Sequence, residues 1–408
     1  MRLILKRRIT AFLHPTREPR GDRWPGFLET ARRSAEAQAG SSVVPPPELP
    51  VFEFPPAAPP SSLREKLDPV IGQGRAKDLL TVLFSMHLAR CVGQRAAQSL
   101  PSAILIGPTG VGKTHSMRTL ATAVGLPFVT ADATALVPAG IVGYQIEDIM
   151  LALYRRADTQ LRLGGYRRKE ADILAVAERG VLFIDEFDKL ATRGGLFQGG
   201  DTNSARAVQR RLLKLLEGDF VRVGVKYRDE EQPKDAYIDT SKLLIIVGGA
   251  FANIEKDEYV GQRAEPGVYK QLGIPEGEPV SEDITHYGFI PELVARLPII
   301  VRYGSLEPGD LALIMHRPEV SPLEVWRWYL KDLGIAFEFD DEAVVLLAGH
   351  AARLKMGARA LPQLLFPYLA DRLVNQQGND TGGITVTSDD LQSDSLIYRR
   401  RRPEEETE

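Results

Sequence analysis

From about Ser62 onward the apolar positions alternate between two textures. Four short, almost wholly apolar runs, 102–106 (SAILI), 181–184 (VLFI), 243–247 (LLIIV) and 299–301, have the length and composition of strands buried on both faces of a parallel sheet. Around them the apolar spacing changes to a helical period, first over 79–92. After Gly304 it is mostly helical, over 308–317, 321–333, 341–355 and 359–375, with short strands near 335–339 and 383–387. The pattern predicts an α/β core, a parallel sheet between helices, over residues 64–303. A small, mostly helical α+β domain follows over 304–398, and a charged tail over 399–408.

Before residue 64 the pattern disappears. Eight of the 28 prolines lie between Pro45 and Pro60, where fixed φ angles and missing donors oppose both helix and sheet ladder. That stretch reads as an extended linker. Ahead of it, residues 1–33 hold nine Lys/Arg and three Asp/Glu. Three readings stand for this head: a basic amphipathic helix over Met1–Leu13 touching a membrane surface or a partner, a transit peptide, or a solvated disordered tail. Glu18, Asp22 and Glu29 count against the transit peptide. Residues 1–63 are thus expected to be a basic, Pro-rich, disordered segment and linker.

Composition narrows the function. The 408 residues carry 51 Lys+Arg against 54 Asp+Glu, a net charge of -3, whereas electrostatic nucleic-acid binders show a basic excess. One cysteine, Cys91, excludes an internal disulfide and a cysteine zinc cluster built within one chain, so no structural zinc is expected. The longest apolar run, Leu243–Ala252, is too short to span a membrane. A reduced, cytoplasmic setting is the expectation.

The chemistry sits at the ends of two of the predicted strands. Gly107, Pro108, Thr109, Gly110, Val111, Gly112, Lys113 and Thr114 match G-x-x-x-x-G-K-[ST] between a strand and a helix. Glycines let backbone N–H groups wrap a phosphate closely, and the helix N-terminus adds a favourable dipole. Lys113 reaches the β- and γ-phosphates, and the Thr114 hydroxyl is a Mg²⁺ ligand. The VLFI strand ends in Asp185 and Glu186, at the edge where open α/β sheets bind ligands. Asp185 is expected in the Mg²⁺ shell and Glu186 as the base that takes a proton from the attacking water. The chain therefore reads as binding a nucleoside triphosphate with Mg²⁺ and hydrolysing it.

With these residues in view, the chain resembles AAA+ ATPases of the ClpX (Clp/Hsp100 unfoldase) family from about residue 64 to 398. Residues 68–73 (DPVIGQ) resemble the family's adenine-side box, with Val70 and Ile71 as contacts to the base. The second acidic motif extends to IDEFDKL (184–190). Residues 210–218 (RRLLKLLEG), 239–244 and 248–251 (GGAF) follow ClpX wording closely. Residues 289–298 resemble the segment carrying the arginine finger, here Arg296, and 356–361 the helix whose Arg359 contacts nucleotide in cis. The resemblance implies a homohexameric ring that threads protein substrates through a central pore, with Arg296 completing the neighbouring subunit's site.

The resemblance extends to three loops, with departures. Gly140, Ile141, Val142 and Gly143 align with the substrate-gripping pore loop, where the family carries an aromatic in place of Ile141; Tyr144 follows directly. Leu272, Gly273 and Ile274 occupy the place of the apolar-Gly-apolar tip that docks a ClpP-like peptidase. Residues 221–235, where the family's basic pore-entrance loop falls, are mixed in sign, and 154–168 read as an insertion. The family's N-terminal zinc domain, ligated by four cysteines, has no counterpart among these residues. With no H-E-x-x-H among the six histidines, any peptide bond is cut by another protein. An ATP-driven unfolding ring is the leading expectation. A stand-alone disassembly chaperone and a nucleic-acid motor or loader are the alternatives.

Overall fold

The computed structural model describes residues 49–93, 100–137, 143–192, 202–225, 234–254, 278–375 and 383–393. The chain divides into two compact units, Met1–Leu49 and Pro50–Glu408, and all the elements below belong to the second.

Five strands, β1 (Ala103–Ile106), β2 (Phe128–Asp132), β3 (Val181–Asp185), β6 (Leu244–Gly249) and β7 (Ile299–Arg302), form one parallel sheet in the order β2-β3-β6-β1-β7. The four expected apolar runs are four of these strands. Their side chains divide between the faces with period two: Ala103, Leu105, Val181, Phe183, Leu244 and Ile246 enter one hydrophobic cluster, and their neighbours Ile104, Ile106, Leu182, Ile184, Ile245 and Val247 enter the other. Helices α1 (Pro60–Lys66), α2 (Gly74–Val92) and α3 (Lys113–Ala123) cover the first face. Helices α4 (Ile146–Leu163), α5 (Glu170–Ala177) and α6 (Thr202–Glu217) cover the second. An antiparallel hairpin of β4 (Phe220–Val225) and β5 (Lys234–Asp239) stands apart from the main sheet, at the place expected for the pore-entrance loop.

Two short helices, α7 (Ser281–Tyr287) and α8 (Pro291–Ala295), precede β7. The C-terminal region then runs α9 (Pro308–His316), α10 (Leu323–Asp332), β8 (Ala336–Phe339), α11 (Asp341–Arg353), α12 (Ala360–Asn375), β9 (Gly383–Val386) and α13 (Ser388–Ser393), with β8 and β9 paired in parallel. This is the helical α+β region the periodicity predicts. Its buried residues, among them Leu311, Leu347 and Leu365, share one continuous cluster with the first face of the sheet.

The second half of the Pro-rich run is no free spacer. Arg167 N–H donates to Pro50 O at 2.7 Å and Ser85 Oγ to Ala58 O at 2.6 Å. The Phe52 ring meets Phe54 and Tyr166 edge-on, both at 5.2 Å, and the Arg179 guanidinium lies 4.9 Å over the Phe54 ring. Pro50, Pro55 and Pro56 lack backbone donors, and the Phe52 and Phe54 rings help hold the segment down. The stretch 154–168, expected as an insertion, supplies its seat: α4 runs to Leu163, Gly164–Gly165 end the helix, and Tyr166–Arg167 receive the strap. Among the described residues no helix is long and apolar enough to cross a membrane.

Candidate nucleotide site

The C-terminal ends of β1, β3 and β6 meet at one cavity of about 450 Å³. Beyond β1 the loop turns through Gly107, Gly110 and Gly112, all at positive φ, and α3 starts at Lys113. At two of these glycines a side chain has no room: a Cβ on Gly107 would stand 2.4 Å from Tyr303 O, and one on Gly110 2.2 Å from Met356 O. Ala358 N–H donates to Gly110 O at 3.0 Å, so the C-terminal region leans directly on the loop.

Lys113 is buried, and its Nζ donates to Gly107 O at 2.6 Å and Pro108 O at 2.8 Å. Burial pushes its pKa down, Asp185 and Asp188 push it back up, and Arg359 lowers it further. An ammonium inside a ring of positive-φ glycines, at the N-terminus of an eleven-residue helix, is a donor set that fits a phosphate chain. On the acidic side, Thr114 Oγ1 donates to Asp185 Oδ2 at 2.7 Å, which places a hydroxyl and a carboxylate together as hard-cation ligands require. Glu186 adopts the left-handed conformation at φ 55, uncommon for a residue with a Cβ, and its N–H binds Asp185 Oδ1 at 2.9 Å. The turn leaves its side chain exposed at the cavity wall.

The remaining predicted residues fall into three groups. Val70, Ile71 and Arg359 line the same cavity, as do the apolar side chains of Leu306, Ile314 and Val320. Arg296, just past α8, is not among the residues lining it and instead donates to Glu217 Oε1 at 2.9 Å on the surface. Gly143 and Tyr144 form the base of their loop, where Val137 N–H donates to Tyr144 O at 3.1 Å. The half-buried Tyr144 ring packs against the core, so it is an anchor rather than a free tip. Gly140, Ile141 and Val142 lie outside the described residues, as do Leu272, Gly273 and Ile274. Sequence reasoning passed over Asp188, Lys189, His115 and the Gly249–Ala250 corner, all on the cavity wall. The IDEFDKL and GGAF motifs held three of these in plain sight.

A family profile described as AAA domain (Cdc48 subfamily) matches residues 98–300. The subunit called ATP-dependent Clp protease ATP-binding subunit ClpX 2 in Wolinella succinogenes is 31% identical over 311 residues, covering 75% of each chain. The ATP-dependent Clp protease ATP-binding subunit ClpX of Treponema denticola is 31% identical over 332 residues, 77% of this chain and 76% of its own. That of Azotobacter vinelandii is 32% identical over 331 residues, 75% and 71% respectively. The chain belongs to the ClpX family. As a ClpX-family AAA+ ATPase it binds and hydrolyses ATP, and it stands among the ATP-dependent Clp unfoldases. The five-stranded parallel sheet flanked by helices is the α/β fold of an AAA domain.

Proposed function

We propose that this chain assembles into a homohexameric ring that spends ATP to unfold protein substrates and thread them through a central pore. The observation that carries the reading is the Thr114–Asp185 contact, which unites both halves of the nucleotide site in one cavity. Gly107–Thr114 wraps the phosphates, Lys113 neutralises the β/γ end, and Val70 with Ile71 packs the base. Thr114 and Asp185 would hold Mg²⁺, which when bound offsets charge on the phosphate oxygens. Glu186 takes the proton of the attacking water, and its strained backbone aims the carboxylate at the cavity rather than into the sheet.

Arg296 lies outside its own cavity, which supports a role in the neighbour's: a guanidinium offered across a subunit boundary to the charge that grows in the transition state. Arg359 reads the nucleotide from the C-terminal region, residues 304–398, so hydrolysis in the 64–303 core is coupled to movement of that region. Substrate is gripped by Gly140–Gly143, with Ile141 as the apolar contact and Tyr144 anchoring the segment. Leu272–Ile274 docks a ClpP-like peptidase that supplies the peptide-cutting chemistry.

The test is capture by a Glu186→Gln chain, which binds ATP without turning it over, followed by mass spectrometry of what it holds. Client proteins and a peptidase support the reading; clients without a peptidase favour a stand-alone disassembly chaperone. Captured nucleic acid in place of protein refutes it.

A further inference from the structure

The tip of β6 stands between the phosphate loop and the acidic pair, yet it has no side chains of its own. A Cβ on Gly248 would stand 2.6 Å from the Phe183 ring, and one on Gly249 2.4 Å from Asp188 Oδ1 and 2.9 Å from Asp188 N. The side chain acting at this tip comes from the neighbouring strand's end. Asp188 lies in the short 3₁₀ turn Phe187–Leu190 after β3 and is 2% exposed. Its Oδ1 accepts the Ala250 N–H at 3.2 Å and its Oδ2 accepts Lys189 Nζ at 3.1 Å. A buried carboxylate is expensive to desolvate, so its place needs a reason.

The hydrogen bonds supply one. Asp188 holds the Ala250 N–H; the carbonyl of that same peptide unit, Gly249 O, accepts the Gly107 N–H at 3.3 Å; Gly107 O in turn accepts Lys113 Nζ at 2.6 Å. The path runs across the ends of three adjacent strands, from the acidic turn to the phosphate-loop ammonium. Asp188 also lines the cavity and supports the charged state of Lys113 against burial.

We propose that Asp188 is a positioning residue of the phosphate site: by holding the Ala250 N–H it fixes the β6 tip, and through Gly107 it sets the seat of the Lys113 ammonium. This rests on the reading of Gly107–Thr114 as the phosphate site. The hydrogen-bond acceptor, more than the charge, carries the effect, since the path is made of peptide contacts.

The test is ATP affinity and steady-state turnover of the full chain, with Lys113→Ala as reference. Asp188→Ala is expected to weaken ATP binding about tenfold and raise KM in parallel, the loss of one or two buried hydrogen bonds. Asp188→Asn keeps an acceptor for Ala250 and is expected to stay within about threefold of the parent. Gly249→Ala pushes the same contact apart from the opposite side and should reproduce the loss, which keeps the test open if Asp188→Ala does not fold. A merely structural role moves thermal stability and leaves KM untouched. The proposal is overturned if folded Asp188→Ala or Gly249→Ala binds ATP like the parent while Lys113→Ala does not, or if Asp188→Asn is as damaged as Asp188→Ala. If Lys113→Ala itself binds normally, the phosphate-site reading fails and takes this inference with it.

Discussion

The Thr114 hydroxyl and the Asp185 carboxylate, 71 positions apart in the chain, meet through a 2.7 Å hydrogen bond between the first turn of α3 and the tip of β3. The bond fixes the hydroxyl rotor and orients one carboxylate oxygen. Thr114→Val, similar in shape but without the hydroxyl, is expected to lower ATP turnover about 10- to 100-fold, the size of effect that follows from the Mg²⁺-holding role proposed for Thr114 and Asp185. Thr114→Ser should recover most of it. Steady-state ATPase assays check both.

The exposed Arg296–Glu217 pair contributes little to stability, under about 1 kcal/mol, because solvent screens it. The role proposed for Arg296 is at the neighbouring subunit's site. Arg296→Ala is expected to bind ATP normally while turnover falls about a thousandfold or more, the effect of losing an arginine finger. Mixing Arg296→Ala with Lys113→Ala chains should restore turnover that neither has alone, since the Arg296→Ala subunit keeps an intact loop for its neighbour's arginine. Inactive mixtures would place Arg296 outside the reaction.

His87 on α2 gives the fold a pH dependence. It is fully buried, its Nε2–H donates to Arg179 O at 2.9 Å, and its Nδ1 accepts from Arg90 Nη2 at 3.2 Å. Arg90 also donates to Ser241 O, Lys242 O and Leu243 O, tying α2 to the start of β6. Burial, with help from Arg90 and Arg179, depresses the imidazole pKa from 6.5 to about 3. Above pH 6.5 the ring is neutral in both states and adds no pH dependence. As the pH falls from 6.5 toward 3 the unfolded chain takes up a proton that the native state refuses, so stability drops by up to about 1.4 kcal/mol per pH unit. Thermal melts across this window should flatten in His87→Gln; an unchanged slope would assign the acid sensitivity elsewhere.

The strap from Pro50 to Ala58 is predicted to matter for stability and not for catalysis, since none of its residues lines the nucleotide cavity. Phe54→Ala removes a half-buried ring and its cation–π contact with Arg179 and should destabilise the fold by about 1–3 kcal/mol. Hydrogen exchange should rise at Tyr166 and Arg167, and the ATPase rate at 25 °C should stay within about twofold.

These elements also show how far the sequence could be read. The central strands were legible because burial on both faces leaves runs such as AILI without polar interruptions. Strand β2, FVTAD, was not, since at the sheet's edge it is only partly buried and its polar residues break the run. The β4–β5 hairpin escaped because its mixed charges, including the Arg222–Asp235 cross-strand pair, read as loop. At the site, Thr109–Thr114, Asp185 and Glu186 stand out by their motifs, and all of them line the cavity. Asp188 and Gly249 do not stand out, because their importance lies in a contact between two strand ends that no local spacing encodes. The strap was misread for a similar reason: proline content describes its backbone, while Phe52 and Phe54 decide where it lies.

The central claim, that ATP hydrolysis at this site drives protein unfolding, is tested most directly by hydrogen exchange on a client protein captured by Glu186→Gln. The purified client is mixed with the parent chain, with and without ATP, and exchange across the client's core is followed. The account predicts global exchange of the client that requires ATP, is absent with Glu186→Gln, and is lost with Arg296→Ala. A client whose core stays protected while the parent chain turns over ATP at full rate would contradict it.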